Sequence, residues 1–339
     1  MNEIPVQSWL YNRLRGDGCR QLSMAESASP FTQRRRTWKD RALDHGFHWL
    51  SVVLASLVGV VLIAILVVVF GGSLEAMVAY GFNFLIRSSW DPINNQYGAF
   101  TAIYGTLVSS ILALLIAVPL GVGSAVFITE AFLPFGIRKI IGGMVELLAA
   151  IPSVVLGLWA IFVMEPTLRP LLSDIHETLG WIPLFSTAPM GPGMAPAVLI
   201  LVVMLLPIIT CISRDTLDQV PVELRFAAYG VGSSRWQSII KIILPAAISG
   251  IAGGVLLALG RAMGETMAVT MIIGNSTNFS FSLLAPGNTI ASMLANQFGE
   301  ADGLQVSALL YAALVLMVLT LLVNLLAEWV VRRLRLHYS

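Results

Sequence analysis

Two charged residues, Arg261 and Glu265, interrupt an otherwise apolar stretch at residues 242–273. A charged side chain near the middle of a membrane-spanning helix costs about 2.5–3.5 kcal/mol on insertion scales, so it usually faces a bundle interior or a wet cavity. Residues four apart on a continuous helix share one face, and Glu265 is therefore expected to neutralise Arg261. The arginine fork also matches phosphate oxygens in bidentate geometry. The pair predicts either an anion site or gate along a transport pathway, or an ion pair that only fixes helix packing.

Other polar residues in apolar stretches carry weaker signals. Glu146 lies in the stretch 140–163, where a packing role and a pathway role fit equally well. Thr106 lies in the stretch 99–129. Hydroxyl groups in spans usually bond their own backbone, although Thr106 also offers a polar group to a pathway. The four histidines show no metal-ligand spacing, so neither a metal site nor a catalytic residue is predicted.

The elements that must hold these residues follow from composition. The chain of 339 residues is 57% hydrophobic and 12% charged, whereas soluble domains carry roughly 25% charged residues. Six apolar stretches are long enough to span a bilayer, which takes about 20 residues. They cover residues 47–71, 99–129, 140–163, 194–213, 242–273 and 304–331. Long runs without alternation predict helices, and hence an all-α integral membrane protein with six transmembrane helices.

The basic residues predict the orientation of these spans. All of the 20 Lys and Arg residues except Arg87, Arg169 and Arg261 fall in the two terminal segments and in the loops after the second and fourth spans. Because cytoplasmic segments carry the excess of Lys and Arg, both termini are expected to be cytoplasmic. Residues 1–46 are then an N-terminal tail and 47–339 the transmembrane domain. The near-neutral net charge of +1 argues against a nucleic-acid partner and leaves membrane lipid as the surroundings.

The cytoplasmic loop at residues 214–241 has its own local signals. Pro221 is placed to start a short helix, which Gly230 and Gly232 are placed to end. The sequence Ser234-Arg-Trp-Gln237 is a capping-box pattern that starts a second helix. This loop is therefore predicted to form a helix–turn–helix element, here called the elbow.

The elbow resembles the signature of the permeases of ATP-binding-cassette (ABC) importers, which is Glu-Ala-Ala, three residues, Gly, nine residues and Ile-x-Leu-Pro. The matching residues are Phe226, Ala227, Ala228, Gly232 and the run Ile242–Pro245, with Phe226 where the family usually has Glu. The resemblance implies a type I importer permease core of the MetI-like kind. It also implies that the elbow couples to a separate ATPase. Glu223 lies close in sequence to Phe226, the position at which this chain departs from the signature.

The stretch Gly260-Arg-Ala-Met-Gly-Glu-Thr-Met-Ala-Val269 resembles the C-type phosphate permeases, the PstC type. This resemblance implies a permease subunit of an ATP-driven phosphate importer that is not itself an enzyme. The implied partners are a second homologous permease of the PstA type, an ATPase dimer of the PstB type and an extracytoplasmic phosphate-binding protein of the PstS type. The chain has no Gly-Lys phosphate-binding loop. ATP and magnesium are therefore expected on the ATPase, and no cofactor on this chain.

Alternative functions remain open at this point. The chain could be a permease for another oxyanion, such as molybdate or phosphonate, or a phosphate-sensing subunit. A membrane enzyme or channel has less support, since the sequence contains neither a nucleophile triad nor a pore-lining repeat.

Overall fold

The computed structural model describes residues 38–130, 132 and 134–335, most of which are helical. The first half of the described chain contains helices α1 Trp38–Tyr80, α2 Asn83–Ile86, α3 Phe100–Thr129, α4 Phe135–Ala149, α5 Ser153–Trp159 and α6 Glu165–Leu179. The second half contains α7 Met194–Asp218, α8 Val222–Gly230, α9 Arg235–Ser238, α10 Leu244–Gly264, α11 Met267–Ile272, α12 Ile290–Gln297 and α13 Leu304–Arg335. Short π-helical segments, Ala160–Met164 and Ile239–Ile243, join α5 to α6 and α9 to α10, and Pro183–Phe185 forms a 3₁₀ turn.

Six of these helical stretches are long and apolar enough to cross a membrane, which confirms the predicted number of spans. They are His45–Tyr80, Phe100–Thr129, Ser153–Leu179, Met194–Asp218, Arg235–Gly264 and Leu304–Arg333. A small hairpin lies between the first two, where β1 Trp90–Asp91 pairs antiparallel with β2 Gln96–Tyr97. The chain is thus a multi-pass helical membrane protein.

The third span was predicted at residues 140–163, and this prediction is wrong. The chain leaves the helical conformation at Pro152 (φ −58°, ψ 138°), so α4 is a separate helix and the span runs from Ser153 to Leu179. Proline lacks an amide hydrogen and disfavours a helical residue before it, which explains the interruption. Glu146 therefore lies on α4 rather than inside a span.

The fifth span was predicted as one helix over residues 242–273. It instead begins within the elbow at Arg235 and ends at Gly264, after which Glu265 is extended (φ −67°, ψ 122°). The short helix α11 follows this break. The fourth span also continues beyond its predicted end at residue 213, to Asp218.

The chain divides into two units within α1, after Ala64. The described part of the first unit is helical, with mostly exposed apolar side chains from Phe47 onward. A tail was predicted for residues 1–46. Residues 1–37 of it lie outside the described residues, and residues 38–46 belong to α1 rather than to a tail.

The second unit is built around α7. Ile200, Leu205 and Ile209 of this helix are fully buried. A Cβ atom added at Gly121 of α3 would lie 2.8 Å from Ile209 Cγ2, and one added at Gly254 of α10 would lie 2.9 Å from Ile212 Cγ2. Glycine at these two positions lets the neighbouring helices approach α7 closely, as is typical of helix packing in membranes.

A comparable close approach fixes the loop before α12 against α3 and gives a prediction. A Cβ added at Gly105 would overlap the carbonyl oxygen of Asn288. Gly105→Ala must displace this backbone and should lower the free energy of unfolding by about 1–3 kcal/mol. Gly123→Ala on the same helix is the matched control, since nothing lies within 4 Å of its added Cβ. Thermal unfolding of the purified protein in detergent measures both, and equal midpoints for the two variants would contradict the prediction.

Candidate functional site

Arg261 lies in the last turn of α10 and its side chain is exposed, whereas the neighbouring Ala262 and Met263 face the bundle and are buried. Exposed positions recur along one face of α10 at spacings of three and four residues. They are Ala246, Ser249, Gly253, Leu257, Arg261 and Gly264. Small residues dominate this face, here called the α10 stripe, and such a composition is typical of a surface that another helix approaches closely.

The predicted pairing of Arg261 with Glu265 is absent. Glu265 follows the end of α10 with an extended backbone, so the two residues no longer share a helix face. Among the described residues, no carboxylate forms an ion pair with the Arg261 guanidinium. The guanidinium is therefore available to a group from outside this part of the chain.

The break after α10 is held by side-chain hydrogen bonds. The Thr266 hydroxyl donates to the Gly264 carbonyl at 3.1 Å, and the Thr270 hydroxyl donates to the Thr266 carbonyl at 2.6 Å. At the far end of α11, Asn275 Nδ2 donates to the Thr270 carbonyl at 2.7 Å. The Thr266 bond caps the end of α10, the other two bonds lie along α11, and the break leaves Glu265 half-buried between the two helices.

Thr106 lies inside the bundle, with 1% of its surface exposed. Its hydroxyl donates to the Ala102 carbonyl at 2.8 Å and accepts from the Ile290 amide at 3.0 Å. The residue therefore links α3 to the first turn of α12. Its surroundings suit a structural link better than a place on a pathway.

Glu146 is also engaged within the chain. Its carboxylate lies 3.1 Å from Arg214 Nη2, and this ion pair connects α4 to α7. The Glu146 side chain is 58% exposed, so the pair is open to the surroundings and contributes modestly to stability.

The elbow has the local structure that its sequence predicts. Helix α8 follows Pro221, and Gly232 reverses the chain with a positive φ of 81°. The predicted capping box is present, because Ser234 Oγ accepts from the Gln237 amide at 3.3 Å and Gln237 Oε1 accepts from the Ser234 amide at 3.0 Å.

The predicted coupling residues divide between two faces of the elbow. Glu223, Phe226, Ala227 and Gly232 are exposed, and the Phe226 side chain is 69% exposed although it is large and apolar. Ala228 is buried and faces the bundle. The exposed surface also includes two large apolar side chains beyond α8, Val231 and Trp236. An apolar surface of this kind on a charged loop is typical of a protein-binding site.

Sequence reasoning missed one interaction at the elbow. Glu130 follows α3 directly, and Arg225 lies on α8, 95 residues later in the chain. Arg225 Nη1 donates to Glu130 Oε1, and the two side chains are 19% and 5% exposed respectively. In the sequence, both residues are recognisable only as charged residues outside any motif. Spacing rules relate residues a few positions apart, so they do not predict a pair this distant in the chain.

Comparison with known families places these features in context. The profile of the family described as "Binding-protein-dependent transport system inner membrane component" matches residues 117–336. The match includes the elbow, the α10 stripe and the break after α10.

Similar proteins in other organisms cover most of the chain. The "Phosphate transport system permease protein PstC" of Mesorhizobium japonicum is 44% identical over 321 residues, which are 92% of this chain and 98% of that protein. The protein of the same name from Haemophilus influenzae is 40% identical, over 90% of this chain and 98% of its own. A "Probable phosphate transport system permease protein PstC" from Methanocaldococcus jannaschii is 34% identical, over 80% and 88%.

Solved structures show the same fold at lower identity. A bacterial alginate ABC transporter, crystallised with its alginate pentasaccharide-bound periplasmic protein, superposes with a TM-score of 0.54. It is 19% identical and covers 89% of this chain and 99% of the matched chain. The likeness extends to the fold and not to the ligand.

The turn of the elbow yields a test with a matched pair of glycines. An added Cβ meets nothing within 4 Å at either Gly230 or Gly232, but only Gly232 has a positive φ. Gly232→Ala should therefore cost about 1–2 kcal/mol of local stability, and Gly230→Ala should not. Amide hydrogen exchange across residues 222–238 should accelerate about 5- to 30-fold in Gly232→Ala alone. Identical exchange in the two variants would show that the turn does not depend on the left-handed residue.

Proposed function

Because the chain belongs to the family of binding-protein-dependent transport system inner membrane components, we propose that it is a permease subunit of an ATP-driven importer of inorganic phosphate. A member of this family is a membrane permease rather than an enzyme, and ATP is hydrolysed by a separate subunit. The observation that carries the choice of phosphate is Arg261, an exposed guanidinium at the end of α10 in a chain 44% identical to a phosphate permease.

Arg261 is the residue that we propose meets the anion. Its fork offers two parallel charge-assisted hydrogen bonds to a phosphate group, and such bonds are about twice as strong as neutral ones. Since no described carboxylate is paired with it, phosphate need not displace an acid from the guanidinium. Nearby, Glu265 adds a negative charge that keeps the affinity low enough for release. This replaces the idea of a gate closed by an Arg261–Glu265 pair.

Glu146 and Thr106 stand outside the proposed pathway. Arg214 forms an ion pair with the carboxylate of Glu146. The hydroxyl of Thr106 is already hydrogen-bonded to the Ala102 carbonyl and the Ile290 amide. Both residues are assigned to helix packing instead.

The α10 stripe suggests how the pathway is completed. A charged side chain on a span is unfavourable in lipid, so the face that carries Arg261 requires protein or water opposite it. A second, homologous permease of the PstA type would supply the other wall, and this chain would form half of the pathway.

The elbow is proposed to dock on the ATPase, a dimer of the PstB type. Its exposed face presents Phe226, Val231 and Trp236 beside Glu223, which suits insertion into a largely apolar cleft. With Phe226 in place of the usual Glu, the central contact is apolar rather than polar. This assignment puts the elbow and both termini on the cytoplasmic side of a bacterial inner membrane. A phosphate-binding protein of the PstS type would then bind on the opposite side.

The test of this function is phosphate uptake by Arg261 variants. Arg261→Gln should lower uptake about 10- to 100-fold, because it removes charge-assisted hydrogen bonds worth about 1.5–3 kcal/mol. Arg261→Lys should retain part of the activity, since the charge survives but the fork does not. Radiolabelled phosphate uptake is measured in cells that lack other phosphate transporters, with subunit levels checked by blotting.

Arg332→Gln is the control, because Arg332 is exposed and its partner Glu328 is on the same helix. Near-normal uptake by Arg261→Gln in an assembled complex would refute the role of Arg261. Stronger inhibition of wild-type uptake by excess molybdate or phosphonate than by unlabelled phosphate would refute phosphate as the substrate.

A further inference from the structure

The ion pair between Glu130 and Arg225 joins the elbow to a helix that is distant in sequence. Along the chain, α8 connects only to α7 and, through α9, to α10. Helix α3 is not adjacent to the elbow in sequence. Glu130, the residue that directly follows α3, nevertheless accepts a hydrogen bond from the Arg225 guanidinium. The pair is therefore a direct bridge between α8 and α3.

Arg225 binds two helix ends at once. While Nη1 donates to Glu130, Nη2 donates to the carbonyl of Leu217 in the last turn of α7 at 2.9 Å. A buried apolar cluster lies at the same junction, with Val126 of α3 packed together with Leu217 and with Ile243 of the segment before α10. A single guanidinium thus holds the ends of α3 and α7 to α8.

The pair crosses an open cleft between α8 and the end of α3. This cleft has a volume of about 460 Å³ and opens to the surroundings. Its lining includes both charged residues together with the exposed ring of Phe226, which belongs to the proposed docking face. Side chains of a docked subunit would cover the cleft and exclude water from the ion pair, which strengthens its electrostatic attraction.

The position of Glu130 argues that the pair is present for more than stability. A carboxylate at the C-terminal end of a helix opposes the helix dipole, and its burial requires a partner. Buried ion pairs are weak evidence for stability, because apolar side chains of similar size often stabilise a protein as well. The burial of Glu130 and Arg225 is better explained if their ion pair specifies the position of α8 relative to α3.

We propose that Glu130 and Arg225 are positioning residues that carry displacement of α8 directly into α3. The proposal rests on the proposed docking of α8 on the ATPase. When the ATPase moves α8, the pair pulls the end of α3, and α3 carries the movement to the tightly packed α7 and to α12 through Thr106. Without the pair, α8 would still be docked but would move α3 only through the apolar cluster.

The experiment uses the complete transporter in proteoliposomes, with the second permease, the ATPase and the phosphate-binding protein. Glu130→Gln and Arg225→Gln should each leave basal ATP hydrolysis within about twofold of wild type. Each should lower the stimulation of ATP hydrolysis by the phosphate-loaded binding protein about tenfold, with phosphate uptake falling in parallel. Glu328→Gln, which removes an exposed ion pair within one helix, is the matched control and should retain full stimulation.

The double variant Glu130→Gln/Arg225→Gln should be no worse than Arg225→Gln alone, because Arg225→Gln already removes the ion pair together with the bond to the Leu217 carbonyl. The reversed pair, Glu130→Arg with Arg225→Glu, should regain part of the stimulation. Full stimulation in the single variants, or additive losses in the double variant, would overturn the proposal. If the single variants fail to assemble, a reversed pair that restores assembly without stimulation would overturn it equally.

A measurement without phosphate separates this proposal from the proposed function. Leu120→Cys places a thiol on an exposed position of α3, in a chain with Cys19 and Cys211 replaced by serine. ATP and vanadate should change the rate at which this thiol reacts with a maleimide, and Glu130→Gln should abolish the change. A nucleotide response that persists in Glu130→Gln would overturn the bridge, even in a transporter that proves to carry another substrate.

Discussion

The hydrocarbon of a membrane offers no water to a free backbone amide or carbonyl group, so each interruption of a spanning helix must be repaired by the protein itself. The fifth span is interrupted after Gly264, and the Thr266 hydroxyl donates to the freed carbonyl at 3.1 Å. Beyond α11, the amide of Gly287 donates to the carbonyl of Ile273 at 2.9 Å. The Thr266 bond therefore caps the end of α10, whose last turn carries Arg261.

Close packing around α7 carries that constraint through the molecule. Gly121 and Gly254 bring α3 and α10 against the same buried helix, with no space left for a larger residue. Helices packed this closely move as a unit or slide in small steps, because their surfaces interdigitate. The elbow connects the end of α7 to the start of α10 along the chain. Arg225 of the elbow also donates a hydrogen bond to Glu130, the residue after α3. In the proposed mechanism, a displacement at the elbow reaches all three of these helices.

Local rules predicted the elbow well because its signals act over a few residues. The capping box of Ser234 and the end of α8 at Gly230 depend on neighbouring residues, and both are present as predicted. Proline was harder to interpret. Pro152 interrupts the chain, whereas Pro119 and Pro207 lie inside continuous helices. The three residues have the same chemistry, and only the surrounding tertiary structure decides which one ends a helix.

The site was predicted less completely, for a related physical reason. The pairing of Arg261 with Glu265 assumed a continuous helix, and the break at Glu265 removed that assumption. The pairing of Glu130 with Arg225 was not predicted because an ion pair across 95 residues depends on the fold as a whole. Periodicity locates spans and turns, but contacts between distant elements follow only from packing.

The exposure of Arg261 bears on the choice between a packing role and a pathway role. A packing role needs a fixed partner, and the described part of the chain provides neither an ion pair nor a hydrogen bond to this guanidinium. Hydrocarbon is an unfavourable neighbour, because it does not solvate a charge. Another protein chain, water and an anion are more favourable neighbours for the guanidinium. In the proposed cavity between two permease subunits, a guanidinium without a permanent partner would bind an anion at the least cost in displaced contacts.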